Sequence, residues 1–384
     1  MMTKDRKRLV FVVNVDWYFD LHWLDRALFF KSVGFDVFLI TRFSSENIRS
    51  RMCGLGIHCY DIDLSRKGLN PISEARTLIS LGFLLKSIGP EIIHSVTIKP
   101  NIYTGILVKV FLKKPQVVAV TGLGLVYSSK SILFCFVRHF VSLLYKVAQS
   151  KYSYFVFENS DDFEKFTRYK IVKENRGEVI YGAGVDTEKY FYKVPPGNRY
   201  ILFAARLLKS KGFYNIARAV KKLNCEGAQL TLLVAGIVDD DVNEAIPITD
   251  VERMHSAGDI VWLGNVSDMV SLLHSVDLVC LPTVYGEGVP RILIEAAACG
   301  RALLATNVSG CNAIVENGFN GYLVDPNKPA MLEKRLLDIF EDENYLKMGR
   351  CGRDKVVLQF SQELVFEKTN KLYQRLLLKV ESFT

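Results

Sequence analysis

Tyr285-Gly-Glu-Gly-Val-Pro-Arg-Ile-Leu-Ile-Glu-Ala-Ala-Ala-Cys-Gly300 holds two carboxylates, Glu287 and Glu295, with seven residues between them. The apolar run Leu278–Leu281 precedes it, so the segment reads as strand, glycine loop and helix. Pro290 suits a first helical turn and the alanines after it propagate one. The loop amides and the helix dipole then face whatever binds there, which favours an anionic or hydroxyl-rich ligand. Glu295 falls about one and a half turns into the helix, so the two carboxylates reach one ligand from different depths. Acidic residues that only complement a helix dipole are the alternative reading. Upstream, Ala204-Ala-Arg-Leu-Leu-Lys-Ser-Lys-Gly-Phe213 follows a second apolar run and puts Arg206 and Lys211 on another strand-end loop. A planar guanidinium fork and a compact ammonium together suit a diphosphate. Read alone, the same segment is also a plain solvated charge cluster.

In the first half the candidates are more scattered. Asp16 stands at the end of the first apolar run, where it either accepts a proton from a substrate hydroxyl or caps a helix. His22, His94 and Lys99 are further candidates, each histidine having a structural alternative. Thr121-Gly-Leu-Gly-Leu-Val-Tyr127 begins like a dinucleotide fingerprint but carries Tyr127 at the third glycine position. No GxxxxGK[ST] occurs, which excludes a P-loop.

The elements that must position these residues alternate short β-rich runs with helical stretches. Leu9–Val13, Asp36–Thr41, Ile57–Ile62, Ile92–His94, Gln116–Thr121 and Tyr154–Phe157 are the strands expected in the first half. The second half restarts at Tyr200–Ala204 and continues with Gln229–Ala235, Ile260–Leu263, Leu278–Leu281, Ala302–Thr306 and Gly321–Val324. Such repetition makes two doubly wound parallel sheets. The Gly/Pro-rich stretch from Gly182 to Asn198 suits a hinge between them. The expected domains are 1–185 and 186–363, facing a cleft, with a last helix at about 364–384 returning to the first domain.

Composition narrows the class. The 384 residues are 49% hydrophobic and 23% charged, the balance of a packed globular chain. Of the net charge of +8, residues 1–180 hold 26 Lys/Arg against 16 Asp/Glu, so the first half seeks an anionic partner. No basic-aromatic motif supports nucleic acid. Eight cysteines without metal spacing or a disulfide framework suggest buried thiols in a reducing compartment, and no metal site. The run after Arg8 is broken by Asn14 and Asp16, so no secretion signal is expected and the location is read as cytoplasmic. Ser131–Gln149 is the most apolar helix, with Arg138, Ser142, Lys146 and Gln149 on one polar stripe. It either packs in the first domain's core or lies on an anionic membrane face.

Three motifs in order carry a resemblance: Arg206-Leu207 with Lys211-Gly212, then Gly264-Asn-Val-Ser-Asp268, then Glu287 and Glu295. Together they resemble the retaining glycosyltransferases of family 4, which have the GT-B fold of two Rossmann-like domains. Val179–Thr187 is similar to that family's interdomain segment, and Asn317–Val324 to its late turn and strand. Two departures are visible. The glycine pair common after the family's first strand is here Val13-Asn-Val-Asp16, and no His follows Thr121-Gly-Leu-Gly124.

The resemblance implies that Arg206 and Lys211 hold a donor diphosphate and stabilise the leaving group, and that Glu287 binds the donor sugar's hydroxyls. It implies that Glu295 binds the ribose, that backbone amides of Gly288, Val289, Pro290 and Arg291 line the sugar and phosphate, and that Gly264, Asn265 and Val266 meet the base. Pro290 has no N–H, so its part is confined to shape. The family pattern assigns no carboxylate nucleophile, so transfer proceeds by same-face displacement, with no cofactor or metal required. His94–Tyr103 and Val120–Gly124 resemble a subgroup that extends lipid-linked bacterial surface glycans. That implies a UDP-sugar donor, an N-acetylhexosamine among its candidates, and a polyprenyl-diphosphate-linked acceptor at the inner membrane face. Asp16, His22, His94, Lys99, Thr121 and Gly122 become the acceptor-side candidates. A nucleotide-sugar epimerase of the same fold and a catalytically silent sugar-nucleotide-binding protein are the alternatives.

Overall fold

Strand β1, Lys7–Val13, is apolar without alternation from Leu9 onward, and all five of those residues are buried. Such a run belongs inside a parallel sheet covered on both faces, because a solvated face would demand every second residue polar. The computed structural model, which describes residues 6–64, 70–128, 131–238, 244–328 and 330–381, is built from two sheets of this kind. The first unit, Met1–Ala183 with Val365–Thr384, adds β2 (Phe35–Thr41), β3 (His58–Asp61), β4 (Ile92–Val96), β5 (Gln116–Val120), β6 (Ser153–Phe157) and β7 (Gly177–Val179). The second, Gly184–Leu364, holds β8 (Tyr200–Ala204), β9 (Thr231–Ala235), β10 (Val261–Gly264), β11 (Leu278–Leu281), β12 (Ala302–Thr306) and β13 (Gly321–Val324).

The strand orders are β3-β2-β1-β4-β5-β6-β7 and β10-β9-β8-β11-β12-β13. Every pairing is parallel. Both are doubly wound, and each reverses direction once, between β1 and β4 and between β8 and β11. Loops leaving the carboxyl ends of those strands diverge there, so the crevice they leave open is where such folds take ligands. Val13 pairs with Val96, which sets Asn14 beside Thr97, and Val279 pairs with Leu202, which sets Pro282 beside the Ala205 loop.

Two differences from the sequence reading have local causes. Strand β7 is only three residues and begins with glycine, too short for an apolar pattern to show. Strand β9 starts at Thr231, because Gln229 adopts a left-handed turn (φ 55°). Of the eight cysteines, Cys280, Cys299 and Cys311 are buried while Cys53 and Cys225 are exposed, so the expectation of buried thiols holds for some of them only.

The closing helix, Gln362–Glu381, packs Val365, Phe366, Leu372, Tyr373 and Leu376 into the core of the first unit. Leu364, in the first turn of that helix, is half-buried. Tyr373 has no exposed surface, and its hydroxyl meets Nδ1 of His94, itself stacked on Phe11 (5.4 Å) and edge-on to Trp23 (4.8 Å). Burial first, then the nearby Arg26 charge, holds the His94 pKa well below its usual value, so the ring is neutral. Arg26 donates to the carbonyls of Gly182 (3.2 Å) and Ala183 (3.4 Å) and lies 4.4 Å over the Trp23 ring. Desolvation lowers its pKa to about 10, which still leaves it charged at neutral pH.

Tyr373→Ala opens a cavity in this cluster and should lower the unfolding free energy by about 3–5 kcal/mol. Tyr373→Phe, which only strips the hydroxyl from His94, should cost about 1–3 kcal/mol. Urea titration followed by far-UV circular dichroism measures both.

Candidate functional site

Three strand-end loops of the second unit converge, and glycines let them do so. After β8 the chain turns through Lys209–Lys211 to Gly212, which begins the helix Phe213–Cys225 with φ 82°. A Cβ at Gly212 would stand 2.1 Å from the Pro282 carbonyl oxygen after β11. Only glycine allows that approach, and the Val284 amide then donates to the Ser210 carbonyl at 2.8 Å. The third loop follows β12: the Glu287 amide donates to the Ser309 carbonyl (3.0 Å), and a Cβ at Gly310 would fall 1.5 Å from the Gly288 oxygen. Leu207 and Leu208 are buried, pinning the β8 loop from below.

This scaffold joins Lys211 to Glu287. Nζ lies 2.5 Å from Oε1, with the side chains 11% and 20% exposed, and 5.5 Å over the Tyr285 ring. An ammonium held this far out of water by one carboxylate and an aromatic face keeps little of its freedom. Arg206 stands half-buried on the same β8 loop. Gly288, Val289 and Pro290 are buried and lead into the helix Arg291–Ala298, whose N-terminal end closes the loop. Glu295 is also buried and accepts from Arg291 Nε at 2.6 Å, one turn apart. Tyr190 shares that carboxylate, and burial with the neighbouring Glu295 charge pushes its phenol pKa up. A ligand hydroxyl reaching Glu295 must therefore compete with two protein donors. Gly264 ends β10 on the same carboxyl edge and Asn265 and Val266 follow it, before Asp268 caps the next helix through the Ser271 amide (3.0 Å). The Tyr285 ring and the Ser309-Gly310 turn were not singled out from sequence. Tyr285 sits inside the motif already quoted, whereas nothing local marks Ser309.

In the first unit the carboxyl ends of β1, β4 and β5 enclose a cavity of about 410 Å³. Its polar lining includes Asn14, Thr97, Lys99, Asn101 and Thr121, and Gly122 adds backbone. Lys99 and its partner Glu74 are 2.8 Å apart, and Tyr103 donates to the other carboxylate oxygen. Asn101 is 2% exposed and donates to the Ala119 carbonyl (2.9 Å), while its Oδ1 has no partner among the described residues. A buried acceptor lining a cavity suits a ligand hydroxyl. Thr97 adopts φ 75° and ψ 166°, a conformation costing a β-branched residue about 1–3 kcal/mol, and its hydroxyl donates to Asn14 Oδ1 at 3.2 Å. Such strain persists where surroundings over-determine it, here at the switch point.

Not all first-half candidates reach this cavity. His94 is a core residue with no exposed surface, because its strand position points it at the closing helix. Asp16 is equally buried: Oδ1 accepts from the Trp17 amide (2.8 Å) and the Ser44 hydroxyl (2.7 Å), Oδ2 from the Ser44 (2.8 Å) and Ser45 (3.3 Å) amides. That carboxylate clips two loops together. His22 is half-buried and packs on Tyr18, ring centroids 4.6 Å apart, away from the cavity lining. Asn14, Thr97 and Asn101 take their places. All three lie in the quoted segments, but as uncharged residues they carry no signal of their own.

Two doubly wound domains, each with a site at its switch point, define the GT-B class of sugar-transferring enzymes. Residues 8–159 match the family described as Glycosyl transferase 4-like, and residues 185–354 match Glycosyl transferases group 1. The chain is therefore a glycosyltransferase of the GT-B fold, built from a family 4-like domain followed by a group 1 domain. It is 28% identical over 363 residues to an N,N'-diacetylbacillosaminyl-diphospho-undecaprenol alpha-1,3-N-acetylgalactosaminyltransferase of Campylobacter jejuni, covering 90% of this chain and 92% of that one. It is 24% identical over 325 residues, 80% of this chain and 81% of the other, to the Escherichia coli UDP-Gal:alpha-D-GlcNAc-diphosphoundecaprenol alpha-1,3-galactosyltransferase. The fold is shared with Anabaena Alr3699/HepE, solved in complex with UDP and glucose, at a TM-score of 0.74 and 15% identity over 95% of this chain and 99% of that one.

The loop Thr121–Gly124 of the cavity is held from behind. Asp162, 1% exposed on the helix Ser160–Arg168, accepts from the Leu123 amide and from Asn159 Nδ2 (3.2 Å). Burial raises its carboxyl from 3.8 to about 6 against the pull of Lys165 and these donors. The folded state thus holds a proton there that the unfolded chain has released, and stability falls as pH rises through that interval. Asp162→Asn, which keeps the acceptor oxygen, should remove this slope. The difference in thermal midpoint between variant and wild type should grow from pH 4 to 7 in the variant's favour, as read by differential scanning calorimetry.

Proposed function

We propose that this chain moves a sugar, an N-acetylhexosamine, from a UDP-sugar onto a polyprenyl-diphosphate-linked saccharide during surface polysaccharide assembly, with retention at the anomeric carbon. The observation that carries the reading is the Lys211–Glu287 pair at the meeting of three strand-end loops, beside Arg206 and a helix N-terminus. A diphosphate entering there brings charge that Lys211 and Arg206 can share, drawing Lys211 partly away from Glu287. The freed carboxylate is then an acceptor for the donor sugar's hydroxyls. Relatives that act on diphospho-undecaprenol-linked sugars, and a neighbour in fold that holds UDP, support the donor and acceptor classes.

In the reaction the bond between C1 and the diphosphate oxygen breaks, and the acceptor oxygen bonds to C1 on the same face. The acceptor proton passes to the departing phosphate oxygen. Arg206 and Lys211 offset the charge that develops on UDP, a role realised mainly in the transition state. Glu287 holds the sugar, Glu295 the ribose, and Gly264–Val266 the base. The cavity of the first unit, with Lys99, Asn101, Thr121 and Gly122, takes the acceptor saccharide. An acceptor embedded in a membrane places the chain on the inner face of that membrane.

Lys211→Ala should reduce kcat by about 10²–10³-fold, the scale for losing one charge-stabilising donor, with an unchanged circular dichroism spectrum. Wild-type turnover would remove the leaving-group role. Glu295→Ala should weaken UDP about tenfold by calorimetry, the size of one good polar contact. NMR of the product anomeric proton distinguishes retention from inversion, and conversion of the nucleotide sugar without acceptor would indicate an epimerase.

A further inference from the structure

The helix Ile132–Ala148 is mounted the wrong way round for a helix facing water. Ser142, Tyr145 and Ala148 are its buried residues, Ser142 sharing a hydrogen bond with the Tyr127 hydroxyl at 3.0 Å, so part of the polar stripe is turned inward. Its outward arc carries Ile132, Leu133, Phe136, Phe140, Leu143 and Val147, between 52% and 77% exposed. At 100° per residue these six fall within an arc of about 100°, the width of a face that is normally buried. Core packing accounts for the inner seam of this helix and leaves that arc without a protein cover among the described residues.

Neighbouring elements extend the face. Lys109 Nζ donates to the Val147 carbonyl at 2.7 Å, tying the π-helical turn Val108–Leu112 alongside, and that turn exposes Val110 and Phe111. Phe111 lies against Gly82 of the helix Pro71–Ile88, where a Cβ would meet its ring at 3.0 Å, and that helix exposes Ile79 and Phe83. Ten large apolar side chains on three adjoining elements exceed what soluble monomers scatter on their surfaces.

Charge selects the occupant. Residues 71–149 contain nine Lys/Arg and two acidic residues. Both carboxylates are engaged, Glu74 with Lys99 and Tyr103, Glu91 with Arg8. Arg76, Lys86, Lys113 and Lys146 are exposed around the apolar residues. A basic rim about an apolar face matches a lipid interface in which acyl chains lie beneath anionic headgroups.

We infer that these three elements form the surface by which the chain docks on an anionic phospholipid bilayer, its outward side chains entering the headgroup–acyl boundary. The inference rests on the membrane-borne acceptor proposed above, yet its surface is separable from the chemistry. Tyr145, on the inner side of the same helix, lines the cavity, so docking holds that cavity one helix diameter from the lipid.

The test is flotation of the full chain with vesicles of phosphatidylglycerol and phosphatidylcholine, or phosphatidylcholine alone, with no donor or acceptor present. Wild type should float with the anionic vesicles, less so at high salt, and remain unbound to the neutral ones. The double variant Phe136→Glu/Phe140→Glu should bind at least tenfold more weakly while keeping its thermal midpoint. Lys113→Ala/Lys114→Ala, which leaves the apolar face intact, should weaken binding to anionic vesicles alone. Undiminished flotation of the folded glutamate variant would overturn the inference. So would a wild-type dimer in sedimentation velocity that the glutamate variant dissociates while wild type ignores vesicles, since a second copy then covers the face. Transfer to a short-chain acceptor in detergent should be equal in wild type and glutamate variant. Flotation without transfer by either would count against the proposed function and leave the docking surface standing.

Discussion

In a doubly wound parallel sheet, the strand order reverses once, and at that place alone neighbouring strand-end loops turn away from each other. Both candidate sites of this chain depend on that constraint, used twice. Between β8 and β11 the diverging loops are brought back into contact at Gly212, and the β12 loop closes on the β11 loop at Gly310, two points where no side chain fits. Between β1 and β4 they stay apart and leave a cavity floored by Asn101. The same topology thus yields a tight, charged site and a roomier, mostly apolar one, and the difference lies in where glycine permits close approach.

The charged site stores its electrostatics in a pair. Lys211 and Glu287 satisfy one another, so neither is left as an isolated charge out of water, a state that would be costly. In the first unit the analogous device is Glu74, which holds Lys99 and Tyr103 at the cavity edge. Below that cavity, Gln116 donates to Ser95 (3.0 Å), the Asn101 carbonyl (3.1 Å) and Thr104 (2.8 Å), fixing the floor through a buried polar network. Networks of this kind specify one arrangement, because any shift strands a buried polar group. Arg26 does the same for the segment ending at Ala183, holding two consecutive carbonyls from within the core.

The helices of the first unit divide the labour differently from those of the second. Phe213–Cys225 and Arg291–Ala298 bury their apolar sides against their sheet. Ile132–Ala148 and its neighbours bury a seam and leave apolar surface outward.

Much of this was legible in the residues. Strand positions followed from unbroken apolar runs, since a strand covered on both faces needs no partner's identity to be recognised. The charged site was legible for a similar reason: Arg206 and Lys211, like Glu287 and Glu295, each sit on one contiguous strand–loop–helix unit, so local order already places them at a carboxyl edge. What sequence could not decide was direction and burial. His94 looked chemical until a tyrosine 279 residues away took its nitrogen. Asp16 had two readings until Ser44 and Ser45 closed around it. An amphipathic helix is the same string of letters whichever side faces in, and only the packing of Ser142, Tyr145 and Ala148 turned the apolar side of Ile132–Ala148 outward. Those outcomes depend on contacts between distant parts of the chain, which a local pattern does not contain.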